Sequence, residues 1–373
     1  MRQRPRRASE MGNARAPMKG WQSIAASITG PLATPPTYDT TMSTRILGLI
    51  STAAFLVGSV IANGTAAQTA KPDLAEKVSW PSVVCVGSPS VCTRMDGQGY
   101  LFAQPDQKTI VLISHGSQGL DSRLFDYVDS LQKNGFAALV IDHWRPRGVN
   151  VTHNDYQAAG LKGANEFNMT FDVLTASDWL RSQRGFEKVG SMGESQGGAA
   201  EIMYQQKWMH EMVQRNVRRL YQKDFQVRPL DALVSLYGYC GYRNAVRDAF
   251  ASTPFLFITG EVDDETPSRY CEQLVPWMNE RGGNAQIIVL PGEGHSFDAP
   301  YKRNRNLFGP HYAKCNMYVD ETGVTELNSG EKIAGQSINP LMAKCVSKIY
   351  HTGYWRDRFV AVDHWISFFK RSL

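Results

Sequence analysis

The chain has 373 residues, 42% apolar and 20% charged, a globular composition long enough to bury a large core without metals or staples. Eight Trp, fifteen Tyr and sixteen Phe exclude a mainly disordered chain. The net charge of +5 is confined to the beginning: residues 1–41 hold six basic and two acidic side chains, Arg45 is the one charge in 42–67, and 68–373 is neutral overall, which removes the main support for nucleic-acid binding.

Residues 1–41, rich in Arg, Pro and Ala and without periodicity, read as a disordered tail or as an over-extended reading frame with translation starting at Met42. From Met42, one Arg precedes an apolar run of about Ile46–Ala62 and the small residues Thr65-Ala66-Ala67, the pattern of a secretory signal peptide over 42–67. The run is short for a span of about 20 residues and lacks a basic stop-transfer flank. An uncleaved anchor is the rival reading. The expectation is a secreted or periplasmic protein with no membrane association beyond export; its oligomeric state is not written in the sequence.

The mature portion, 68–373, is expected to be one catalytic domain. β-rich pieces lie near Ser82–Val86 and Tyr100–Ala103, and Thr109–Ser114 is a buried strand leading into His115-Gly116-Ser117-Gln118-Gly119. A helix over Arg123–Lys133, a strand over Ala137–Asp142 and a helix over Phe171–Gln183 follow. The strand Lys188–Met192 runs into Gly193-Glu194-Ser195-Gln196-Gly197, then a long helix over about Gly197–Lys223. Strands at Ala232–Tyr237, Phe255–Thr259 and Gln286–Leu290, a helix near Pro267–Arg281 and an amphipathic helix over Phe359–Arg371 complete the set. Continuous apolar strands alternating with helices predict a mostly parallel sheet covered on both faces. Residues 301–350 read as an insertion near the site tied by Cys315 and Cys345. Trp208, Met209, Met212 and Tyr221 read as core packing, with a lid as the alternative.

G-x-S-x-G between a strand and a helix is the nucleophile elbow, so tight that the residues two before and two after the Ser must be small. It aims Ser195 out of the sheet edge and the helix N-terminus toward developing negative charge. A serine needs a base, and the base an orienting acid, in the order Ser, acid, His in this fold. After two later strands come Gly260–Pro267, with four carboxylates, and Pro291–Asp298, with His295; both lie at carboxyl ends of strands, where open α/β sheets place sites. The expected triad is Ser195, Asp263 and His295, with Asp264 as the reserve acid. The oxyanion hole is assigned to the backbone N–H groups of Gln196 and Ser117, Gln118 being the alternative to Ser117. His115 reads as a loop-holding residue.

All six cysteines, Cys85, Cys92, Cys240, Cys271, Cys315 and Cys345, follow the cleavage point, and an even count in an exported chain reads as disulfides. Proximity suggests Cys85–Cys92 and Cys315–Cys345. No CxxC occurs, HEMVQ at His210 lacks the second His of HExxH, and the remaining histidines show no ligand spacing; no metal and no cofactor are expected.

These residues resemble the α/β-hydrolase superfamily and, more narrowly, its dienelactone-hydrolase-like family in a serine-nucleophile form. The likeness runs from about Thr109 to Asp298 and resumes in the final helix. GEVDDETPSRYCEQL (260–274) resembles that family's acid loop, LYGYC (236–240) its loop after the preceding strand, GHSFD (294–298) its His loop, and IDHWRPRG (141–148) its Pro-Arg-Gly segment. Founding members use a Cys nucleophile and carry a Glu in the loop after the first of these strands; here the nucleophile is Ser195, and Gly116 or Ser117 stands where that Glu would be. The resemblance implies the α/β-hydrolase fold, hydrolysis of small-molecule carboxylic esters or lactones, and a Cys240–Cys271 pair. Arg145 and Arg147 are candidates for a substrate carboxylate or for a loop salt bridge. Alternatives are a serine peptidase of the same fold or a non-catalytic binding protein.

Overall fold

The apolar strands form one eight-stranded sheet in a computed structural model that describes residues 75–86, 91–149, 156–243, 249–299, 307–311, 314–320, 323–333, 341, 344–351 and 358–373. The readings of 1–41 and 42–67 lie outside the described residues. The strands in chain order are β1 (Glu76–Cys85), β2 (Cys92–Phe102), β3 (Thr109–Ser114), β4 (Ala137–Asp142), β5 (Lys188–Glu194) and β6 (Ala232–Leu236). After the two-residue strand β7 (Tyr242–Arg243), which lies outside this sheet, come β8 (Pro254–Gly260) and β9 (Asn284–Leu290). The spatial order is β1-β2-β4-β3-β5-β6-β8-β9, and every neighbouring pair is parallel except the two that β2 makes.

The strands are apolar throughout because both faces are covered. Ile110, Leu112, Leu139 and Ile141 turn to one face, while Val111, Ile113, Ala138 and Val140 turn to the other, the two-residue period of a strand. The first face is packed by α3 (Glu166–Gln183), α4 (Gln196–Tyr204), α5 (Lys207–Tyr221) and α6 (Ser268–Asn279). The second is packed by α1 (Ser122–Lys133) and α7 (Val362–Ser372), through Leu124, Phe125, Val128, Trp365 and Phe369. A six-residue helix, α2 (Tyr156–Leu161), precedes α3. The Asp121 carboxylate caps α1 by accepting from Arg123 N–H at 2.8 Å, and Asn165 caps α3 in the same way through Asn168 N–H.

The single helix expected over Gly197–Lys223 is two helices. The break falls at Gln205-Gln206, where no Gly or Pro marks it: Gln206 is extended and pairs with Phe250, Lys207 N–H donates to Ala249 O at 2.9 Å, and Ala251 N–H donates to Gln205 O at 2.8 Å. Those bonds to another segment replace helical ones. The apolar residues read there pack inward. Met209 and Met212 are buried, Trp208 stacks on Phe167 with centroids 6.3 Å apart, and Tyr221 donates to Ser82 O at 2.7 Å. The lid alternative is thereby set aside for this helix.

One buried group in α4 stands out. Glu201 takes a 2.7 Å hydrogen bond from Ser191 Oγ, and its other oxygen has no partner among the described residues. Burial raises its pKa well above the usual carboxylate range, with Ser191 opposing only weakly. The surroundings of Glu201 therefore favour its protonated form.

Candidate active site

Strand register brings the chemistry to one edge. Ser114 at the end of β3 lies opposite Gly193, Glu194 opposite Leu236, and Gly260 opposite Leu290. The loops after β3, β5, β6, β8 and β9 therefore emerge side by side.

Ser195 has φ 50° and ψ −110°, a left-handed conformation that costs energy in a residue with a Cβ. Its N–H donates to Leu236 O at 2.9 Å, and α4 starts at the next residue. A Cβ on Gly193 would stand 2.4 Å from the carbonyl of Gly197, and one on Gly197 would stand 2.4 Å from Ser114 O. The two small positions that the motif demands are thus set by backbone lying against backbone.

Ser195 Oγ lies 3.0 Å from His295 Nε2, and Asp263 Oδ2 lies 2.9 Å from His295 Nδ1. Asp263 is held by three donors: the N–H groups of Glu265 at 2.9 Å and Thr266 at 2.8 Å, and the Thr266 hydroxyl at 2.9 Å. Thr266 Oγ1 also lies 3.0 Å from Nδ1. Glu261 N–H to Leu290 O at 3.0 Å and Val262 N–H to Glu293 O at 2.9 Å bind the acid loop to the His loop. Burial pushes the His295 imidazolium down, but Glu265, with Oε2 3.7 Å from Nε2, and Asp263 outweigh it and raise the pKa to about 9. Glu265 and Thr266 were missed in the sequence; only their place in the carboxylate-rich loop hinted at them.

Gln196 opens α4, so its N–H has no acceptor within the helix. Ser117 lies in the turn Gly116–Gly119, closed by Gly119 N–H to Gly116 O at 3.1 Å. His115 is fully buried; its Nε2 accepts from His143 N–H at 3.1 Å, which leaves Nδ1–H for Gly116 O at 2.8 Å. Burial, with His143 beside it, lowers the His115 pKa to about 3. It holds the loop as a neutral ring.

Two further sequence candidates separate. Arg147 is buried and bidentate on Asp172, at 2.7 and 3.1 Å. Of its two sequence readings, substrate carboxylate or salt bridge, this is the salt bridge: the guanidinium is occupied by a buried carboxylate. Arg145, whose side chain is 57% exposed, lies 3.5 Å from Asp142 Oδ2 and donates to the Tyr100 hydroxyl at 2.7 Å. Asp172 also anchors an array that the sequence did not reveal. Its Oδ2 lies 2.8 Å from His143 Nδ1, and His143 Nε2 lies 3.2 Å from Ser114 Oγ. Ser114, His143 and Asp172 are all buried.

The disulfides pair Cys85 with Cys92 across the β1–β2 hairpin, Cys240 with Cys271, and Cys315 with Cys345. Within 301–350, β10 (Leu307–His311) pairs with β14 (Ser347–His351), and β11 (Met317–Asp320), β12 (Gly323–Glu326) and β13 (Lys332–Ile333) extend β7 into a four-stranded sheet. The Tyr239 hydroxyl donates to Cys315 O at 2.6 Å and Met317 N–H to Gly241 O at 3.1 Å. These bonds tie the insertion to the loop after β6, whose Tyr237 ring stands edge-on to His295 at 5.0 Å. Among the described residues, no group of three His, Cys, Asp or Glu is placed to hold a metal ion, and no helix is long and apolar enough to cross a membrane.

A sheet with β2 alone reversed, helices on both faces and a serine on the strand–helix turn after β5 define an α/β-hydrolase. The sequence pattern of the prolyl oligopeptidase family matches residues 125–313, just over half of the chain, and the chain belongs to that family. The α/β-hydrolase reading of the sequence agrees with the fold and with this family match. Similar solved structures include a dienelactone hydrolase from Anabaena variabilis, 19% identical over 60% of this chain and 90% of that one with a TM-score of 0.38. Est1E from Butyrivibrio proteoclasticus is 15% identical over 59% and 92% with a TM-score of 0.37. An esterase from Thermogutta terrifontis is 16% identical over 54% and 80% with a TM-score of 0.41. No curated protein sequence matches the chain.

Proposed function

We propose that the protein is an exported serine esterase that cleaves small carboxylic esters or lactones through an acyl-enzyme. The observation that carries the reading is the relay from Ser195 Oγ to His295 Nε2 and from His295 Nδ1 to Asp263, at 3.0 and 2.9 Å, with the serine on the elbow. Ser195 attacks the carbonyl while His295 takes its proton, Asp263 holds the imidazolium, and the Gln196 and Ser117 N–H groups receive the oxyanion. His295 then protonates the leaving alcohol and activates water, which releases the acid. Side chains supply the nucleophile, base and acid, backbone N–H groups receive the oxyanion, and water completes the cycle.

Family membership favours a second reading, a serine peptidase with the same residues in the same roles. One experiment separates them: fluorophosphonate labelling, followed by a screen of p-nitrophenyl esters, lactones and aminoacyl amides. Labelling at Ser195 with ester turnover is the expected result. Amide turnover exceeding ester turnover would transfer the proposal to peptidase, and absent labelling would leave a binding protein. Export is supported by the apolar leader and the three disulfides. The exported protein should begin near Gln68 on N-terminal sequencing, and a start at Met1 or Met42 would refute cleavage.

A further inference from the structure

Glu194 directly precedes Ser195, and its side chain reaches the loop after β3. It is buried, and its Oε1 accepts from Gly116 N–H at 2.6 Å. The fit leaves no slack: a Cβ on Gly116 would stand 2.6 Å from Oε1 and 2.7 Å from Oε2. Residue 116 therefore lacks a side chain so that the carboxylate can reach the backbone. The carboxylate is itself anchored by Arg123, whose Nη2 lies 3.4 Å from the same oxygen. Arg123 is fixed in turn by Asp121 at 2.5 Å and the Tyr237 hydroxyl at 3.2 Å. Asp298 joins the cluster with Oδ1 3.8 Å from Arg123 Nη1, accepting from the Tyr237 hydroxyl at 2.6 Å and from the Tyr127 hydroxyl as well.

The sequence neighbours of this bond give it meaning. Gln196 lies two residues beyond Glu194, and Ser117 is the residue after Gly116. The β3–β5 ladder ends at the Ser114–Gly193 pair, before either N–H. The bonds of the 115–119 loop to itself, Gly119 N–H and His115 Nδ1–H to Gly116 O, shape the loop without fixing it against the elbow. We propose that Glu194 is a positioning residue: its carboxylate locks the Ser117 N–H at a fixed separation from the Gln196 N–H, so that one oxyanion meets both. Oxyanion donors act only when they lie within hydrogen-bond reach of the place the charge develops, and small misplacements are costly.

The proposal rests on Ser195 as nucleophile and on the assigned hole, so the test must tell those failures apart. Wild type, Glu194→Gln and Glu194→Ala would be compared in the full mature chain, with active serines counted by fluorophosphonate. The readouts are kcat and KM on p-nitrophenyl acetate, and inhibition by an aryl trifluoromethyl ketone. The Ser195 adduct of that ketone is a hemiketal whose oxyanion sits in the hole. Glu194→Ala should lower kcat per labelled serine about 10²–10³-fold, the loss expected for one oxyanion donor, with KM little changed. Glu194→Gln keeps an acceptor oxygen without the charge and should lose about tenfold, in line with charged hydrogen bonds being roughly twice as strong as neutral ones. The inhibition constant should rise by the same factor as kcat/KM falls in each variant. If either variant folds and keeps wild-type kcat per labelled serine and wild-type inhibition, Glu194 is only a buried counter-ion and the proposal falls. Should Glu194→Ala fail to fold, Glu194→Gln decides alone. A wild-type protein that takes neither fluorophosphonate nor ketone overturns the esterase reading itself, and the brace with it.

Discussion

The molecule holds two Ser–His–Asp arrays of nearly the same dimensions. At the sheet edge, Ser195, His295 and Asp263 are linked at 3.0 and 2.9 Å. In the interior, Ser114, His143 and Asp172 are linked at 3.2 and 2.8 Å. Residue type and distance do not separate them; surroundings do. Ser195 is half-buried on a left-handed turn, whereas Ser114 is wholly buried in a regular strand and shares its hydroxyl with Tyr204 at 3.3 Å. Asp263 is satisfied by neutral donors, so its charge remains for an imidazolium. Asp172 is claimed by Arg147, and although burial pushes its carboxyl up, Arg147 and His143 hold it below the ordinary range. Burial lowers His143, against the pull of Asp172, whereas His295 is raised to about 9. The two histidines shift in opposite directions because one answers to carboxylates and the other to burial and a guanidinium.

The sharpest way to break the comparison is catalytic. Ser195→Ala and His295→Ala should each lower kcat by about 10⁶, and the double variant little more, because the groups act as a unit. Ser114→Ala should leave fluorophosphonate labelling untouched. Loss of labelling in Ser114→Ala would mean that solvent access does not distinguish the arrays. Asp263→Asn should cost about 10⁴ in kcat, while Asp264→Asn keeps most activity; the reverse outcome would move the acid by one residue.

The interior array should answer in stability instead. Asp172→Asn leaves Arg147 buried without its charge partner and should cost about 3–5 kcal/mol in denaturant unfolding, with kcat per labelled serine unchanged. A folded, fully stable Asp172→Asn would show that the interior carboxylate is dispensable.

Acidity offers a third comparison. His295 must be neutral to accept a proton, so kcat/KM should rise with pH through about 9. Glu265→Gln removes the first of the groups that raise it and should move the midpoint down toward 6.5. Between pH 6.5 and about 9 the folded chain keeps a proton on His295 that the unfolded chain has released. The stability it contributes is full below 6.5 and lost as pH rises through that window. His115 runs the other way: folded near 3 and unfolded near 6.5, it contributes stability above 6.5 that is lost as pH falls toward 3. A midpoint unmoved in Glu265→Gln would assign the shift to Asp263. The smallest effect belongs to Arg145→Ala, whose guanidinium is largely exposed to solvent and whose pair with Asp142 is worth under about 1 kcal/mol. A rise in KM confined to carboxylate-bearing esters would assign Arg145 to the substrate.

The sheet was legible because its strands are uninterrupted apolar runs between helices, and the elbow because two glycines are imposed by backbone contact at 2.4 Å. The loops that bring Asp263 and His295 together were legible from their order after β8 and β9. What remained hidden was built by contacts between distant elements. The interior array draws on β3, the loop after β4, and α3, with no motif joining them. The interruption between α4 and α5 comes from Phe250 and its neighbours rather than from a breaking residue. Glu194 occupies a position where the motif accepts any residue, so its bond to Gly116 left no trace in the pattern.

Glu201 carries a consequence of a different kind. A carboxyl that keeps its proton in the folded chain and sheds it in the unfolded chain makes hydrogen ion a ligand of the native state. At any pH between its unfolded and folded values, folding draws a proton from the buffer at this site, and the heat of refolding carries that buffer's ionisation enthalpy. Alkali acts here as ligand withdrawal: once the proton leaves, a bare carboxylate sits beside Ser191 with no cation to meet it among the described residues, on the same helix that begins next to Ser195. Replacing Glu201 with Gln fills the same space with a group that never titrates, and should extend the native state toward the alkaline pH at which His295 is free to act.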